Sequence, residues 1–407
     1  MLLHWIWLAN RPNLNEREKV TLLQHFQDAE EIYYAQSKDL QHFGWNETAL
    51  ESLLDKDLTA ARRILDDCSD EDISICTYRD ANYPARLRNI SDPPLGLYYK
   101  GRLPDLDSIP ALAVVGTRRA TPYGINVAGK MAYQMVKCGA AVVTGLADGI
   151  DGAGARGALM ADGIVIGVLG CGADRVYPAQ HKSLYADCQR KGCILTEYPP
   201  GTPPHKWNFP KRNRIISGLS CGVVVVEAPE KSGSLITARD ALEQGRDVFA
   251  VPGNVDMPTF MGSNQLLREG AIFATCGWDV VSEYKDIYPD KVRLYGGPAP
   301  QQEQLTAADT VAKVAQKPAS PKKKSIVGEK KDKKSIDNAA PASYSVIRAD
   351  LSEEEKQIVS VLQNGPQLKD EIISQSALPA AKVSSLLTML QIKGIVADKP
   401  GNIWMLK

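Results

Sequence analysis

The sequence predicts an α/β protein built around a mostly parallel sheet, with a helical segment on either side of it. Between about residues 110 and 285, short apolar runs alternate with helical runs. Runs such as "ALAVVG" and "CGVVVVEAP" are apolar throughout, which indicates strands buried on both faces, as in a parallel sheet covered by helices. The chain has 407 residues, enough for two or three domains.

The first segment, residues 1–68, is predicted to be a small helical domain. "NEREKVTLLQHF" and "LTAARRIL" place apolar residues at helical spacing. The opening "MLLHWIWLANRP" has no basic stretch ahead of its apolar run and no small-residue cleavage site. We therefore expect a core helix there rather than a targeting signal, and the run is too short to span a membrane.

Residues 69–290 form the predicted core. "ISICTYRD" and "LGLYYKG" are expected to be strands, and strand–helix pairs follow them along the chain. Nearly every strand ends in Gly or Pro before a loop. Because ligands of such sheets bind outside the carboxyl ends of the strands, these loops are the place to seek a site.

The segment 291–349 changes character. It is rich in Pro, Lys, Ser and Ala and poor in large apolar residues, which is typical of a disordered linker. Its lysines could hold a polyanion loosely, but charge blocks of this kind commonly serve solvation.

The last segment, residues 350–407, is predicted to be a winged helix-turn-helix. A Ser-x-x-Glu capping box at Ser352 and Glu355 starts the first of three helical runs, and "IVADKPGNIWMLK" follows as a hairpin. The expected recognition helix carries only Lys382 and Lys393. Contact with DNA and contact with protein both stay open.

The overall charge limits the class of partner. With 48 basic and 48 acidic residues the net charge is zero, so a nucleic-acid site would have to be a local basic patch. The eight cysteines are scattered, with no CxxC pair and no zinc-ligand spacing. That usage favours reduced thiols in a cytoplasmic protein without a metal site.

The first candidate loop is "VVGTRRATPYG". Gly116, Thr117 and Arg118 lie between a strand end and a helix that Thr121 is expected to cap, and backbone N–H groups at such a start attract anions. Arg118 could instead cap neighbouring carbonyls. The loop is not GxGxxG, and Thr144 stands where a ribose-binding acid would be, so no dinucleotide cofactor is expected.

The second and third loops, "TGLADGIDGAGARG" and "LGCGADRVYP", carry weaker signals. Asp148 and Asp151 could be acid, base or cap, and a helix cap is the expected role of Asp151. Cys171 has no evident base beside it, so we interpret it as structural rather than nucleophilic.

The densest cationic cluster lies in "HKWNFPKRNRIISGLS". Lys206, Lys211, Arg212 and Arg214 are interleaved with aromatic rings, and that mixture suits single-stranded nucleic acid, where charges track phosphates and rings stack on bases. The helix dipole disfavours cations at a helix start, which indicates that these charges serve a function other than helix stability. Further on, Lys231, Ser232, Gly233 and Ser234 precede a helix, and such a turn also suits phosphate.

These motifs together resemble the DNA-processing protein A family (DprA/Smf). The resemblance rests on "GTRRATPYG", "TGLADGIDGAGARGAL", "LTEYPPGTPPHKWNFPKRNRIISGLS" and "VVVVEAPEKSGSLITARDALEQGRDVFAVPG", and it covers about Asp70 to Cys276. It implies an extended Rossmann-like core, an N-terminal SAM/helix-hairpin-helix-like domain and a C-terminal winged helix. It further implies a non-enzyme without a cofactor that binds single-stranded DNA, forms homodimers, protects incoming strands in natural transformation and loads the RecA recombinase.

The resemblance also implies a set of DNA-binding residues. They are Gly116, Thr117, Arg118, Lys206, Phe209, Lys211, Arg212, Arg214, Lys231, Ser232, Gly233 and Ser234. Of these, one or both of Arg212 and Arg214 could be structural, tying the helix start to a neighbouring loop. The chain departs from the family pattern at Asp148, where Arg is usual, and at Ala155, where His is usual. An Asp near a DNA groove would weaken binding or change its salt dependence.

Two other classes of function are alternatives to the single-stranded DNA-binding function that the resemblance implies. One is a nucleotide-binding or nucleotide-cleaving enzyme of the phosphoribohydrolase type, since related folds include such enzymes. Those enzymes carry a "PGGxGT" loop with a nearby Glu, whereas this chain has "EKSGSLITARDA" and no evident acid/base pair. The other is a regulator that binds duplex DNA through the winged helix, which has few cations for that task.

Overall fold

The computed structural model describes residues 2–297 and most of 351–406, the exceptions in the second range being 364, 366, 377, 394 and 400–402. The chain divides between residues 319 and 320 into two compact units. Apart from residues 291–297, the predicted linker lies outside the described residues.

The first unit opens with a cluster of short helices. They are α1 (Leu2–Ala9), α2 (Glu16–His25), α3 (Ala29–Tyr34), α4 (Ser37–Leu40), α5 (Glu47–Leu54) and α6 (Thr59–Asp70). Asn15 and Asn46 cap α2 and α5 by accepting backbone N–H bonds, as N-cap residues do. Trp7, Leu22 and Leu53 are buried at the centre of this cluster. A domain boundary at residue 68 stays a prediction.

A nine-stranded sheet forms the body of this unit. Its strands are β1 (Ser74–Thr77), β2 (Gly96–Gly101), β3 (Ala111–Val115), β4 (Ala141–Thr144), β5 (Val165–Val168), β6 (Cys193–Thr196), β7 (Gly222–Val225), β8 (Asp247–Ala250) and β9 (Ile272–Phe273). The spatial order is β1-β2-β6-β5-β4-β3-β7-β8-β9. The first two strands are antiparallel to their neighbours, and all the other pairs are parallel. The mostly parallel α/β fold is thereby confirmed.

Helices cover both faces of the sheet. They are α7 (Ala85–Arg88), α8 (Pro122–Lys137), α9 (Ile150–Met160), α10 (Lys182–Lys191), α11 (Asn208–Leu219), α12 (Gly233–Glu243), α13 (Met261–Arg268) and α14 (Gly277–Val281). Leu112 and Val114 of β3 pack with α8 and α9 on one face, whereas Ala113 and Val115 pack with α11 on the other. Burial on both faces explains why the strand runs are continuously apolar.

The position of β3 determines where a ligand can bind. β3 lies between β4, which follows it in the chain, and β7, which comes much later. The winding of the sheet reverses there, and a crevice opens beyond the carboxyl ends of the strands at such a point.

The second unit has the winged-helix arrangement that the sequence predicts. Its helices are α15 (Glu353–Leu362), α16 (Lys369–Ser376) and α17 (Ala380–Ile392), and its strands are β10 (Gln367–Leu368), β11 (Val396–Lys399) and β12 (Ile403–Leu406). The strands form an antiparallel sheet in the order β10-β12-β11. The capping box of Ser352 and Glu355 starts α15 as predicted. None of the helices described in either unit is long and apolar enough to cross a membrane.

Candidate nucleic-acid interface

A cavity of about 600 Å³ opens at the carboxyl edge of the sheet, where the winding reverses. Three segments supply most of its lining: the loop after β3 (residues 116–121), the start of α11 with the residues before it (204–213), and the turn that leads into α12 together with its first residues (229–234). Asp151, in the first turn of α9, and Tyr177 also line it. Most of the residues predicted for a DNA site lie in these segments. The sheet topology therefore brings together residues more than 100 positions apart in the chain.

The loop after β3 presents cations to the cavity. Arg118 and Arg119 are both exposed and line it, together with Gly116 and Thr117. Thr121 caps α8, and its hydroxyl accepts the Gly124 N–H at 3.1 Å, as predicted. Arg119 was not among the predicted residues, although its position beside Arg118 could have suggested it.

The start of α8 already holds an internal anion. Glu227, fully buried just after β7, accepts the Thr121 N–H at 3.0 Å and the Thr121 hydroxyl at 2.9 Å. A carboxylate is favoured there by the helix dipole and by unsatisfied N–H groups. The expectation that this helix start is free to attract a ligand anion is corrected, because Glu227 occupies it. What this loop still presents to the cavity is the exposed side chains of Arg118 and Arg119.

A buried charge cluster, Asp151 with Arg212, forms part of the cavity lining. Arg212 donates through Nη1 to the carbonyls of Gly145, at 2.9 Å, and Val168. Asp151 accepts the Gly145 N–H at 3.1 Å. A Cβ on Gly145 would lie 2.5 Å from Arg212 Nη2 and 2.6 Å from Asp151 Oδ2, so glycine is required for this close approach.

This geometry corrects the expected role of Asp151. Gly149 is the N-cap of α9 and Asp151 lies within the first turn, where its carboxylate faces the preceding loop. Burial raises the pKa of Asp151, and the positive charge of Arg212 opposes the shift. Burial lowers the pKa of Arg212, and Asp151 opposes that shift in turn. The two groups hold the second loop against α11.

Arg214 is also internal. It is 6% exposed and donates to both carboxylate oxygens of Glu197, at 3.1 and 2.8 Å, and to Asp92 at 3.0 Å. With its donors committed to carboxylates, Arg214 has no free edge for phosphate. Burial favours the alternative that the sequence left open, in which both arginines support the start of α11 and do not contact DNA. Arg212 nevertheless lines the cavity, whereas Arg214 does not.

Lys211 points away from the cavity. Its Nζ lies 3.8 Å from Glu16 Oε1 on α2 and 3.5 Å from Glu197 Oε2. Helical periodicity explains this, since Phe209 and Lys211 are two positions apart and cannot face the same side of α11. Lys211 is thus placed as a bridge between α2 and the sheet, which argues against the predicted contact of this residue with DNA.

Phe209 lines the cavity with its ring surrounded. The guanidinium carbon of Arg118 lies 4.9 Å from the ring centroid, and the Tyr177 ring centroid lies 5.3 Å away. A Cβ on Gly170 would be 2.9 Å from the ring. Phe209 therefore orients Arg118 through a cation–π contact.

The turn before α12 supplies small donors. Ser232 caps α12 by accepting the Ser234 N–H at 3.3 Å, and the two hydroxyl oxygens lie 2.7 Å apart. Lys231 and Gly233 are exposed and line the cavity with them. Asn213 of α11 donates to the Gly233 carbonyl at 3.2 Å and holds the turn in place. Sequence reasoning missed Asn213 because an amide inside a cationic run gives no separate signal.

The remaining candidates lie elsewhere. Asp148 does not line the cavity; its carboxylate accepts from Gln180 at 2.8 Å and lies 3.5 Å from His181. Ala155 is fully buried in α9. Cys171 is buried, and desolvation raises its pKa to about 11, which suits the structural interpretation. The described residues contain no group of three or more His, Cys, Asp or Glu placed to hold a metal ion.

Comparison with known proteins gives consistent matches over most of the chain. A family model described as DNA recombination-mediator protein A matches residues 74–285, and a model described as DprA winged helix domain matches residues 341–402. Protein Smf of Synechocystis sp. is 33% identical over 397 residues, covering 93% of this chain and 92% of that protein. The DNA processing protein DprA of Bacillus subtilis is 41% identical over 221 residues, covering 54% of this chain and 74% of that protein.

A solved structure shows the same fold. The X-ray structure of DNA processing protein A (DprA) from Streptococcus pneumoniae superposes with a TM-score of 0.62 at 33% identity. The match covers 70% of this chain and 98% of that one.

Proposed function

Because the chain belongs to the DNA recombination-mediator protein A (DprA/Smf) family, we propose that it is a non-catalytic recombination mediator that binds single-stranded DNA at the carboxyl edge of its sheet. The observation that carries the proposal is a set of four exposed cations around one cavity: Arg118, Arg119, Lys206 and Lys231. None of the four makes an ion pair with another residue in the part of the chain that the structure describes. They are free to neutralise phosphates, and the nearby rings suit bases.

The state of the carboxylates supports binding without turnover. Asp151 is the only carboxylate among the described residues that line the cavity. Its oxygen accepts the Gly145 N–H, and it is buried beside Arg212. Nucleotide cleavage would need an acid or base within reach of substrate, and Asp151 is already engaged in holding a loop.

The test is a gel shift with an oligo-dT single strand and a duplex of the same length, across a salt series. We expect the single strand to bind far more tightly. Arg118→Ala and Lys206→Ala should each weaken binding and reduce the salt slope by about one. Both side chains are exposed, so thermal stability should hold. Equal affinity for single strand and duplex would contradict the proposal.

We include two partners in the proposal, the RecA recombinase and a second copy of this chain, as the family resemblance implies. RecA added to the same gel shift should give a slower band than either protein alone. Light scattering of the free protein should give twice the mass of one chain. A monomer, or no band with RecA, would remove that partner from the proposal while leaving DNA binding intact.

A further inference from the structure

An exposed pair of stacked rings stands at the rim of the cavity. The His205 and Trp207 ring centroids lie 4.4 Å apart with their planes 11° from parallel. Trp207 is 71% exposed and lies in the turn before α11, where the Asn208 N–H bonds to the His205 carbonyl at 3.0 Å. Because His205 covers one face of the indole, the other face is the one that meets solvent.

The residues between and beside the pair point into the cavity. Pro204, Lys206 and Phe209 line it, while His205 and Trp207 do not. Lys206 therefore lines the cavity, while the rings of His205 and Trp207 on either side of it in the sequence lie at the edge. A strand whose phosphate meets Lys206 would pass over this edge.

Phe209 is poorly placed to take a base itself. Arg118 and Tyr177 lie against its ring. Gly170 packs so closely on the ring that an added Cβ would lie 2.9 Å from it. A base could stack on Phe209 only by displacing Arg118. Among the described residues, His205 is the one ring that stacks on Trp207, and the Trp207 side chain is 71% exposed.

We propose that the outer face of Trp207, backed by His205, is a stacking platform for an unpaired nucleobase of the strand whose phosphate Lys206 holds. This inference rests on the proposed function, since it assigns one base-binding position in the same interface. Stacking on an indole accepts any base, because every base has a π-face. The platform therefore adds affinity for unpaired bases without adding sequence preference.

The test compares an oligo-dT single strand with a strand of the same length whose sugars carry no bases. Trp207→Ala should weaken binding of oligo-dT about tenfold, the scale expected for one stacked base. Trp207→Phe, which keeps an aromatic face, should recover most of that loss. On the abasic strand, wild type and Trp207→Ala should bind equally.

Two control variants separate charge and surface effects from stacking. Lys206→Ala should weaken binding to both strands, because it acts on the phosphate. Leu242→Ala, at a 61% exposed apolar residue at the far end of α12, should change neither.

Unchanged oligo-dT binding by Trp207→Ala, or an equal loss on the abasic strand, would overturn the platform while leaving the proposed function standing. Failure of the wild type to bind oligo-dT at all would overturn both. Melting curves of the Trp207 variants should match wild type, since the ring is exposed, and a variant with a lowered melting temperature would point to a structural role instead.

Discussion

At the scale of residues, cationic side chains that are close together in the motif around α11 lie in different environments. Lys206 faces the cavity, Lys211 joins Glu16 to Glu197, and Arg214 is buried against Glu197. Burying a charge is tolerable only when it is paired. The motif therefore places one lysine at the cavity and also supplies the ion pairs that hold its own helix in place.

The two lysines give a matched pair of variants. Lys211→Ala should leave the affinity for oligo-dT within about twofold of wild type, whereas Lys206→Ala should weaken it clearly. Lys211 is half-exposed, and Glu16 and Glu197 keep Lys19 and Arg214 as partners. Its loss should thus cost no more than about 1 kcal/mol of unfolding free energy. Equal losses of affinity in the two variants, measured in one titration, would contradict the geometry.

At the scale of elements, the starts of two helices determine what the cavity offers. The start of α8 is filled by the internal carboxylate Glu227, while the start of α12 is capped by its own Ser232 beside the cavity. The remainder of α12 lies against α11, and Asp240 on it is near Glu243 and Asp92. Burial, with those two like charges, raises the pKa of Asp240 to about 6.

This shift gives a pH prediction for α12. Between about pH 4 and pH 6 the folded protein holds a proton on Asp240 that the unfolded chain has released, so Asp240 reduces stability as pH rises through that window. Asp240→Asn removes the cost. The difference in unfolding free energy between the variant and wild type should grow by on the order of 1 kcal/mol from pH 4 to pH 6, after allowance for the partial exposure of Asp240. Denaturant unfolding at both pH values measures it, and a gain independent of pH would contradict the prediction.

At the scale of the whole molecule, the charges balance but are not evenly placed. The net charge is zero, yet four unpaired cations surround one cavity of the first unit. In the second unit the two cations of the recognition-helix region are paired: Lys382 with Glu354, and Lys393 with Glu355 at 2.7 Å. Pairing within the unit leaves them less able to neutralise phosphates.

We therefore expect the winged helix to contribute little to duplex binding through these two lysines. Lys382→Ala and Lys393→Ala in the full chain should leave duplex affinity within about twofold. Lys393→Ala should instead lower the stability of the second unit, because Lys393 holds down the pKa of the capping-box carboxylate Glu355. A large loss of duplex affinity in a filter-binding assay would show that these lysines meet DNA after all.

The family, the α/β class and the winged helix could be predicted because each depends on sequence patterns that are local in the chain. Continuous apolar strands, Gly-terminated loops and the Ser352–Glu355 capping box depend on residues close together in the chain. The short strand β9 was missed, since two residues show no periodicity.

What the sequence by itself determined about this protein is that its cations gather in loops at one edge of a parallel sheet. Only the tertiary structure decided which of them face that edge. Arg212, Arg214 and Lys211 belong to the same motif as Lys206, but their directions depend on Asp151, Glu197 and Glu16, which come from distant parts of the chain. A side chain's role follows from the partners that folding brings to it, and those partners are not visible in local spacing.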